Sequence, residues 1–328
     1  MPAPADESPT VSVIIPAFNA AAFIEEALAS VAASEQVDAE IVVVDDGSSD
    51  GTPELVRAWS SKHARPVLVI HQENSGISVA RNVGILESRG EFLAFLDADD
   101  CFLPQHLYRL LQALKSQPDA ILACDDVELF GEEVPTAPSL LIRAAVAHPS
   151  LSLGTPPRIP GTLEHLEAFD LIVAGNPFAP SSWMLSRSAF GRTGLFDPLQ
   201  RICEDREFLL RASRAGPFAI VAEVGVRKRI HAANLTHPRN APQFDRHALG
   251  VLCRARARAS DQEERLIGPA VAEQARELSY HASTIGFAEW WRLLGWLRDV
   301  GANNQWSIRD LIRSLWVSLL HVRRALVA

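Results

Sequence analysis

"GEFLAFLDADDCFLP", Gly90 to Pro104, drives a mostly apolar run straight into carboxylates at Asp97, Asp99 and Asp100. Alternate residues of an extended strand share a face, so Asp97 and Asp99 point the same way if strand geometry continues through them. Two such charges repel unless a cation sits between them or water solvates both. A hard divalent cation, Mg2+ or Mn2+, fits the first case, because such ions bind through one or two carboxylates and complete their shells with substrate phosphates. The second case is a solvated acidic turn ahead of a helix beginning near Leu103.

Working outward, the surrounding sequence alternates short apolar runs with helix-like segments. "VSVIIP", "AEIVVVDD", "PVLVIHQ" and "EFLAFLDADD" are separated by "AAAFIEEALASVAAS", "GTPELVRAWSSKH" and "ISVARNVGILESR". β-rich runs spaced by single helices imply right-handed crossovers and a doubly wound, mostly parallel sheet covered on both faces. Ligands of such sheets bind beyond the carboxyl ends of the strands. Three strand ends here carry suggestive residues: Pro16 to Asn19, Asp45 and Asp46, and Asp97 to Asp100, with the "NSG" turn at Asn74 to Gly76 beside them. Further on, "FAIVAEV" and "VRKRIH" read as two more short strands, and beyond about Pro242 the pattern is helical.

The 328 residues are 48% hydrophobic and carry a formal net charge of −9. That length buries a sizeable core, and that charge argues against a general nucleic-acid binder, which needs a basic surface. Cys101, Cys124, Cys203 and Cys253 lie far apart without CxxC spacing, so neither a zinc site nor a disulfide framework is indicated. "MPAPADESPT" lacks the basic start and apolar run of a signal peptide, and no apolar window reaches the roughly 18 residues of a spanning helix. The expectation is a cytoplasmic protein.

Residue by residue, bland readings compete with functional ones. In "VVVDDGSSDGT", Ser48, Ser49 or Asp50 is expected to cap the next helix, while Asp46 could accept from a nucleobase or ribose. In "ICEDREFLLRAS", Glu204 and Asp205 fall at a helix N-terminus, where the dipole favours carboxylates without any chemistry. His231 reads as a structural or surface histidine. There is neither a GxGxxG nor a GxxxxGK[ST] phosphate cradle.

Taken together, "VSVIIPAFNAAAFIEEAL", "IVVVDDGSSDGT", "NSGISVARNVGI", "GEFLAFLDADD" and "LFDPLQRICEDREFLLR" occur in the order and at roughly the spacing of family-two inverting glycosyltransferases of the GT-A fold, and the resemblance covers about residues 9 to 236. It implies a GT-A type sheet flanked by helices and a nucleotide-sugar donor, UDP-linked. Pro16, Ala17, Phe18, Asn19 and Asp46 resemble the uridine pocket, with Phe18 stacking on the base and Asp46 accepting from it. Asp97, Ala98 and Asp99 resemble the DxD element, Asp97 near the ribose and Asp99 on the divalent cation that bridges the diphosphate. Gly76, Arg81 and Asn82 resemble the turn and helix that close over the nucleotide. Asp205 matches the catalytic base of the "ED" motif, and His231 matches a late histidine that adds a metal ligand. The base takes the proton of an acceptor hydroxyl, which attacks the anomeric carbon opposite the nucleotide.

The resemblance sets a GT-A catalytic domain over residues 1–241, with a nucleotide-sugar half at about 9–130 and an acceptor half at about 131–241, and leaves 242–328 as a helical C-terminal region. The acceptor is expected to be a saccharide or glycolipid hydroxyl, in polysaccharide or cell-envelope assembly. Two segments lie outside the family's motifs. Arg227, Lys228 and Arg229 make a basic approach to His231 that suits either a phosphate contact or an exposed strand face, and 132–160 is a proline-rich excursion. The end of the chain, "WSIRDLIRSLWVSLLHVRRAL", places Ile308, Leu311, Ile312, Leu315, Trp316, Leu319 and Leu320 at helical spacing. From His281 on, six Arg stand against one Glu and two Asp, giving +3. Such a helix lies on the inner face of a membrane as a peripheral contact, or packs against the catalytic domain or a second subunit as a dimer. The competing reading of the whole chain is a non-catalytic nucleotide-sugar-binding or membrane-associated scaffold that keeps the fold.

Overall fold

A computed structural model describes residues 9–34, 36–63, 67–131, 134, 139–141, 161–232, 234 and 240–285. The chain divides into two compact units, the first ending at His231 and the second beginning at Ala232.

The first unit begins with the expected alternation: β1 (Val11–Ala17), α1 (Ile24–Ala32), β2 (Ala39–Asp45), α2 (Thr52–Lys62), β3 (Val67–His71), α3 (Ile77–Glu87) and β4 (Phe92–Phe95). β5 (Cys101–Phe102), α4 (His106–Ser116), β6 (Leu122–Gly131), β7 (Thr162–Leu163), α5 (His165–Ala174), β8 (Trp183–Ser186), α6 (Phe190–Thr193), α7 (Glu204–Ala215) and β9 (Phe218–Ile230) follow. The strands join in one sheet ordered β3-β2-β1-β4-β8-β6-β9-β5, with β7 also on β9. β1 to β4 pair in parallel, as continuous apolar runs buried on both faces demand. β8 runs antiparallel to both β4 and β6, so the second half of the sheet is mixed.

Both faces are covered. On one, Val11, Val13 and Ile15 of β1 meet Ile24, Leu28 and Val31 of α1 and the leucines Leu107, Leu110 and Leu114 of α4. On the other, α3 comes so near β1 that a Cβ at Gly84 would lie 2.4 Å from Ile14, so only glycine fits there. An aromatic nest closes the same unit: Trp183 stacks on Phe208 of α7 at 5.4 Å, and Phe208 stacks on Phe196 at 4.6 Å. Each such ring contributes about 1.5–3 kcal/mol by leaving water, which fixes the start of α7 against the sheet.

The two short strands expected at "FAIVAEV" and "VRKRIH" are one strand of 13 residues. β9 carries the extra residues itself: its register against β6 shifts between Ile220 and Val224 and again before Val226, so the strand bulges at the exposed Ala222 and Glu223 instead of breaking. The helix expected near Leu103 begins at His106, because Cys101 and Phe102 first pair with β9. The second unit contains α8 (Ala241–Arg256) and α9 (Asp261–Ile285), which pack on each other. Among the described residues no helix is long and apolar enough to cross a membrane. Most of the 132–160 excursion and the whole apolar stripe from Ile308 to Leu320 lie outside the described residues.

Candidate active site

Because β1, β2 and β4 run parallel, their carboxyl ends open on one edge of the sheet. The loop after β1 is zipped onto the loop after β2. Asn19 and Ala20 donate their amides to the hydroxyls of Ser48 (2.9 Å) and Thr52 (2.8 Å), and the Ala21 amide donates to Asp50 (3.0 Å). Asn19 returns the contact by accepting from the Ser49 amide at 2.8 Å, and it does so in a left-handed backbone, φ 50°. Pro16 and Ala17 are buried beneath, whereas Phe18 leaves this braced loop with half its surface exposed (52%), an apolar ring held out over the strand ends. Of the three expected caps, Asp50 accepts from the first helical amide of α2, that of Thr52, at 3.0 Å.

Asp46 is 4% exposed and already well occupied: Oδ1 accepts from Gln72 Nε2 (2.6 Å) and the Ser75 amide (2.8 Å), and Oδ2 from the Gly76 amide (2.9 Å). A carboxylate has about four lone-pair sites, so one remains. Asp46 therefore shapes the 72–76 turn, and Gly76, at φ 95°, supplies the conformation that starts α3.

Arg81 and Asn82, expected in the turn and helix that close over the nucleotide, lie on α3 and have partners within the protein. Arg81 is fully buried: Nη2 donates to Asp97 at 2.8 Å and Nη1 to Glu204 at 2.6 Å. It ties the end of β4 to the start of α7. Asn82 uses both ends of its amide on the main chain of Phe196, donating to its carbonyl at 2.8 Å and accepting from its N–H at 2.9 Å. It pins the turn ahead of α7. Burial would raise the Asp97 carboxyl, but the charges of Arg81 and Lys228 outweigh it and hold Asp97 below the usual carboxylate range.

Asp97, Ala98, Asp99 and Asp100 form the turn between β4 and β5, with Ala98 buried inside it. β9 lies alongside and supplies the opposite charge. Lys228 Nζ stands 3.9 Å from Asp97 and 3.8 Å from Asp100, and Arg229 donates its amide to Asp100 at 3.0 Å. Asp100 and Asp97 hold the Lys228 ammonium well above its ordinary pKa. Burial, with Asp99 and Asp97 nearby, pushes the Asp100 carboxyl up to about 7 against the pull of Lys228. Of the other two cations of the basic run, Arg227 stacks on Phe130, while Arg229 stacks on Phe130 and Phe23 and donates Nε to the Asp99 carbonyl at 3.0 Å. His231, just past β9, brings Nε2 to 3.0 Å from Asp99 Oδ2, and both side chains keep some exposure.

At the far side of this edge, α7 starts from Cys203 in a left-handed backbone, φ 59°. The capping expected of its acidic start is only partly met: Asp205 Oδ1 accepts from the Arg206 amide at 2.7 Å, while Glu204 is turned to Arg81. Asp205 Oδ2 accepts from Asn176 Nδ2 at 3.0 Å. Burial raises Asp205, and burial pushes Glu204 up to about 7 with Arg81 pulling against it. A carboxyl raised toward neutrality takes a proton more readily than an ordinary one.

A divalent cation fits this donor set in one way. Among the described residues no group of three or more His, Cys, Asp or Glu side chains is placed to hold a metal, so a cage made of protein alone is absent there. Asp99 and His231 still offer an adjacent oxygen and nitrogen, partly open to solvent, which suits an ion that draws its remaining ligands from phosphate and water.

Sequence reasoning singled out Lys228 only as one of three cations and missed Asn176. Strand alternation could have separated Lys228 from Arg227 and Arg229. "AGNP" signals a turn after α5 but says nothing of Asp205, 29 residues on.

The sequence model described as "Glycosyl transferase family 2" matches residues 12–189. The chain is 30% identical over 241 residues to "Uncharacterized glycosyltransferase EpsJ" of Bacillus subtilis, covering 73% of this chain and 66% of that protein. It is 38% identical over 124 residues to "Succinoglycan biosynthesis protein ExoO" of Rhizobium meliloti, covering 38% of this chain and 35% of the other. It thus spans less than two thirds of the length of each of these relatives. Among solved structures, S. aureus TarS 1-349 in complex with UDP-GlcNAc superposes with a TM-score of 0.63 at 19% identity, over 89% of this chain and 81% of that one. The mannosyltransferase PcManGT of Pyrobaculum calidifontis, in complex with GDP-Man and Mn2+, gives 0.60 at 18% identity, over 98% and 81%. These likenesses establish a shared GT-A fold.

Proposed function

The chain belongs to glycosyl transferase family 2, and from that premise we propose that it moves a sugar from a nucleotide-diphosphate donor to a hydroxyl of a saccharide or lipid-linked acceptor, with inversion. The observation that carries the reading is the sheet edge itself. Asp97, Asp99 and Asp100, the Lys228 ammonium, His231 and the raised carboxyl of Asp205 converge where β1, β2 and β4 end.

The exposed ring of Phe18 takes the base by stacking, and the remaining lone pair of Asp46 accepts from it. In this reading the main chain of Pro16, Ala17 and Asn19 would wall the base's place and the turn at Gly76 would close over the nucleotide. Asp97, fixed by Arg81, meets the ribose with Ala98 beside it. Asp99 and His231 would hold a divalent cation, which when bound neutralises charge on the departing diphosphate. Lys228 sits where it can donate to the same phosphates. Asp205 receives the proton of the acceptor hydroxyl. UDP is the nucleotide we assign to the donor; that TarS and PcManGT were solved with UDP-GlcNAc and GDP-Man makes UDP-GlcNAc and GDP-mannose the first donors to try.

Asp205→Asn keeps the side chain's shape and removes the base. Transfer from UDP-GlcNAc or GDP-mannose should fall roughly 10²- to 10⁴-fold while donor affinity stays within about twofold. Transfer at the wild-type rate would hand the proton to another group and defeat this assignment. A non-catalytic binder that keeps the fold has no use for a raised carboxyl at this place, and the same assay separates the two readings.

A further inference from the structure

We propose that Asn176 is a positioning residue for Asp205, held in an unfavourable conformation so that its amide fixes the carboxylate that takes the acceptor's proton. The inference rests on the reading of Asp205 as base and adds the device that aims it.

The geometry has three parts. Asn176 Nδ2 donates to Asp205 Oδ2 at 3.0 Å, while the Arg206 amide donates to Oδ1 at 2.7 Å. The carboxylate is therefore held at both oxygens and cannot rotate without losing one contact. Second, α7 itself carries Asn176 to this place. The guanidinium of Arg206, the residue after Asp205, grips the last carbonyls of α5, donating to Ile172 at 3.0 Å and to Val173. The Gly175 and Asn176 amides both turn back onto Leu171 at 3.1 Å, so the α5 terminus and the base form one unit.

Third, the arrangement is costly to the fold. Asn176 has φ 44°, a left-handed backbone that glycine adopts at less cost, although asparagine tolerates it better than most residues, and it precedes Pro177, which favours an extended residue before it. Among the described residues its Oδ1 has no hydrogen-bond partner, and it is buried. Strain and an orphaned acceptor at one residue oppose stability, and what they yield is the contact with Asp205.

Asn176→Gly removes the amide and suits the backbone. It should fold, with a melting temperature at or above that of the wild type. An N–H bond to a carboxylate favours the charged form, so losing it raises the carboxyl's pKa. The other charged groups around Asp205, namely Arg81, Asp97, Lys228, Glu204 and Arg206, stay in place. The pKa of Asp205, read by carboxyl 13C NMR and assigned by its absence in Asp205→Asn, should therefore rise. With UDP-GlcNAc and GDP-mannose as donors, kcat should fall roughly 10- to 100-fold, its acidic limb should move to higher pH, and donor KM should hold. In an Asp205→Asn background the same change should cost nothing further. A lower melting temperature with an unmoved Asp205 pKa would make Asn176 structural and overturn the inference. So would an unchanged kcat in Asn176→Gly where Asp205→Asn is crippled. If Asp205→Asn transfers normally, the base reading fails instead, and the NMR titration still decides whether Asn176 governs that carboxyl.

Discussion

Two runs of carboxylates, at Asp97–Asp100 and at Asp125–Asp126, begin alike and end differently. Each lies on or just past a buried strand, and each has a histidine against it, His231 at 3.0 Å from Asp99 and His106 at 2.6 Å from Asp125. The first run keeps partial exposure, 19% at the Asp97 side chain and 26% at Asp99, and faces the Lys228 ammonium. The second is sealed. The side chains of His106 and Asp125 are fully buried, the Asp125 carboxylate fills the place a Cβ at Gly225 would need, and Asp126 accepts the amides of Val127 and Leu141. Burial raises Asp125, with His106 pulling the other way. Acidic residues in a strand thus differ by their surroundings: one run keeps access to solvent and faces an ammonium, the other has neither.

The sealed run gives the largest effect on stability. His106→Ala leaves a buried carboxyl without its partner, so urea unfolding should show a loss of roughly 3–5 kcal/mol, while turnover per folded molecule is unchanged. Turnover lost with stability kept would break the comparison. At the open run, Asp97 keeps Arg81 and Asp100 keeps the Ser181 hydroxyl and the Arg229 amide when Lys228 is lost, so Lys228→Met should cost less stability than His106→Ala and should weaken UDP or GDP binding by about tenfold, since a charge-assisted hydrogen bond contributes about 1.5 kcal/mol or more. Equal nucleotide affinity in that variant would reduce Lys228 to an internal counter-ion.

The smallest effect is on the pH profile of stability. Glu204 moves from an ordinary 4.5 to about 7 in the folded chain. Between those values the folded state binds more protons than the unfolded one, so this group's contribution is full below about 4.5 and is lost as pH rises to about 7. Glu204→Gln should flatten that part of the melting-temperature profile, and an unchanged slope would place the titration elsewhere.

The alternation of strands and helices was legible because it is local, and so was the run of carboxylates after β4. Partnerships between distant residues were not. Arg81 meets Glu204 across 123 positions and Asn82 meets Phe196 across 114, so nothing in the spacing of "NSGISVARNVGI" shows that both side chains are spent inside the protein. β9 was read as two strands because exposed residues interrupt its apolar pattern, whereas the pairing with β6 holds it together. Asn176 sat in a recognisable turn, but its partner is set by how Arg206 docks α5.

The central claim is that Asp99 holds a cation against the donor's diphosphate. Calorimetric titration of UDP and of GDP into the wild type, with Mn2+ and again in excess EDTA, tests it most directly. One nucleotide should bind with Mn2+, weaken at least tenfold in EDTA, and show the same weakness in Asp99→Ala whether Mn2+ is present or not. Equal affinity with and without Mn2+ in the wild type, or an Asp99→Ala variant that keeps the full Mn2+ effect, would contradict it.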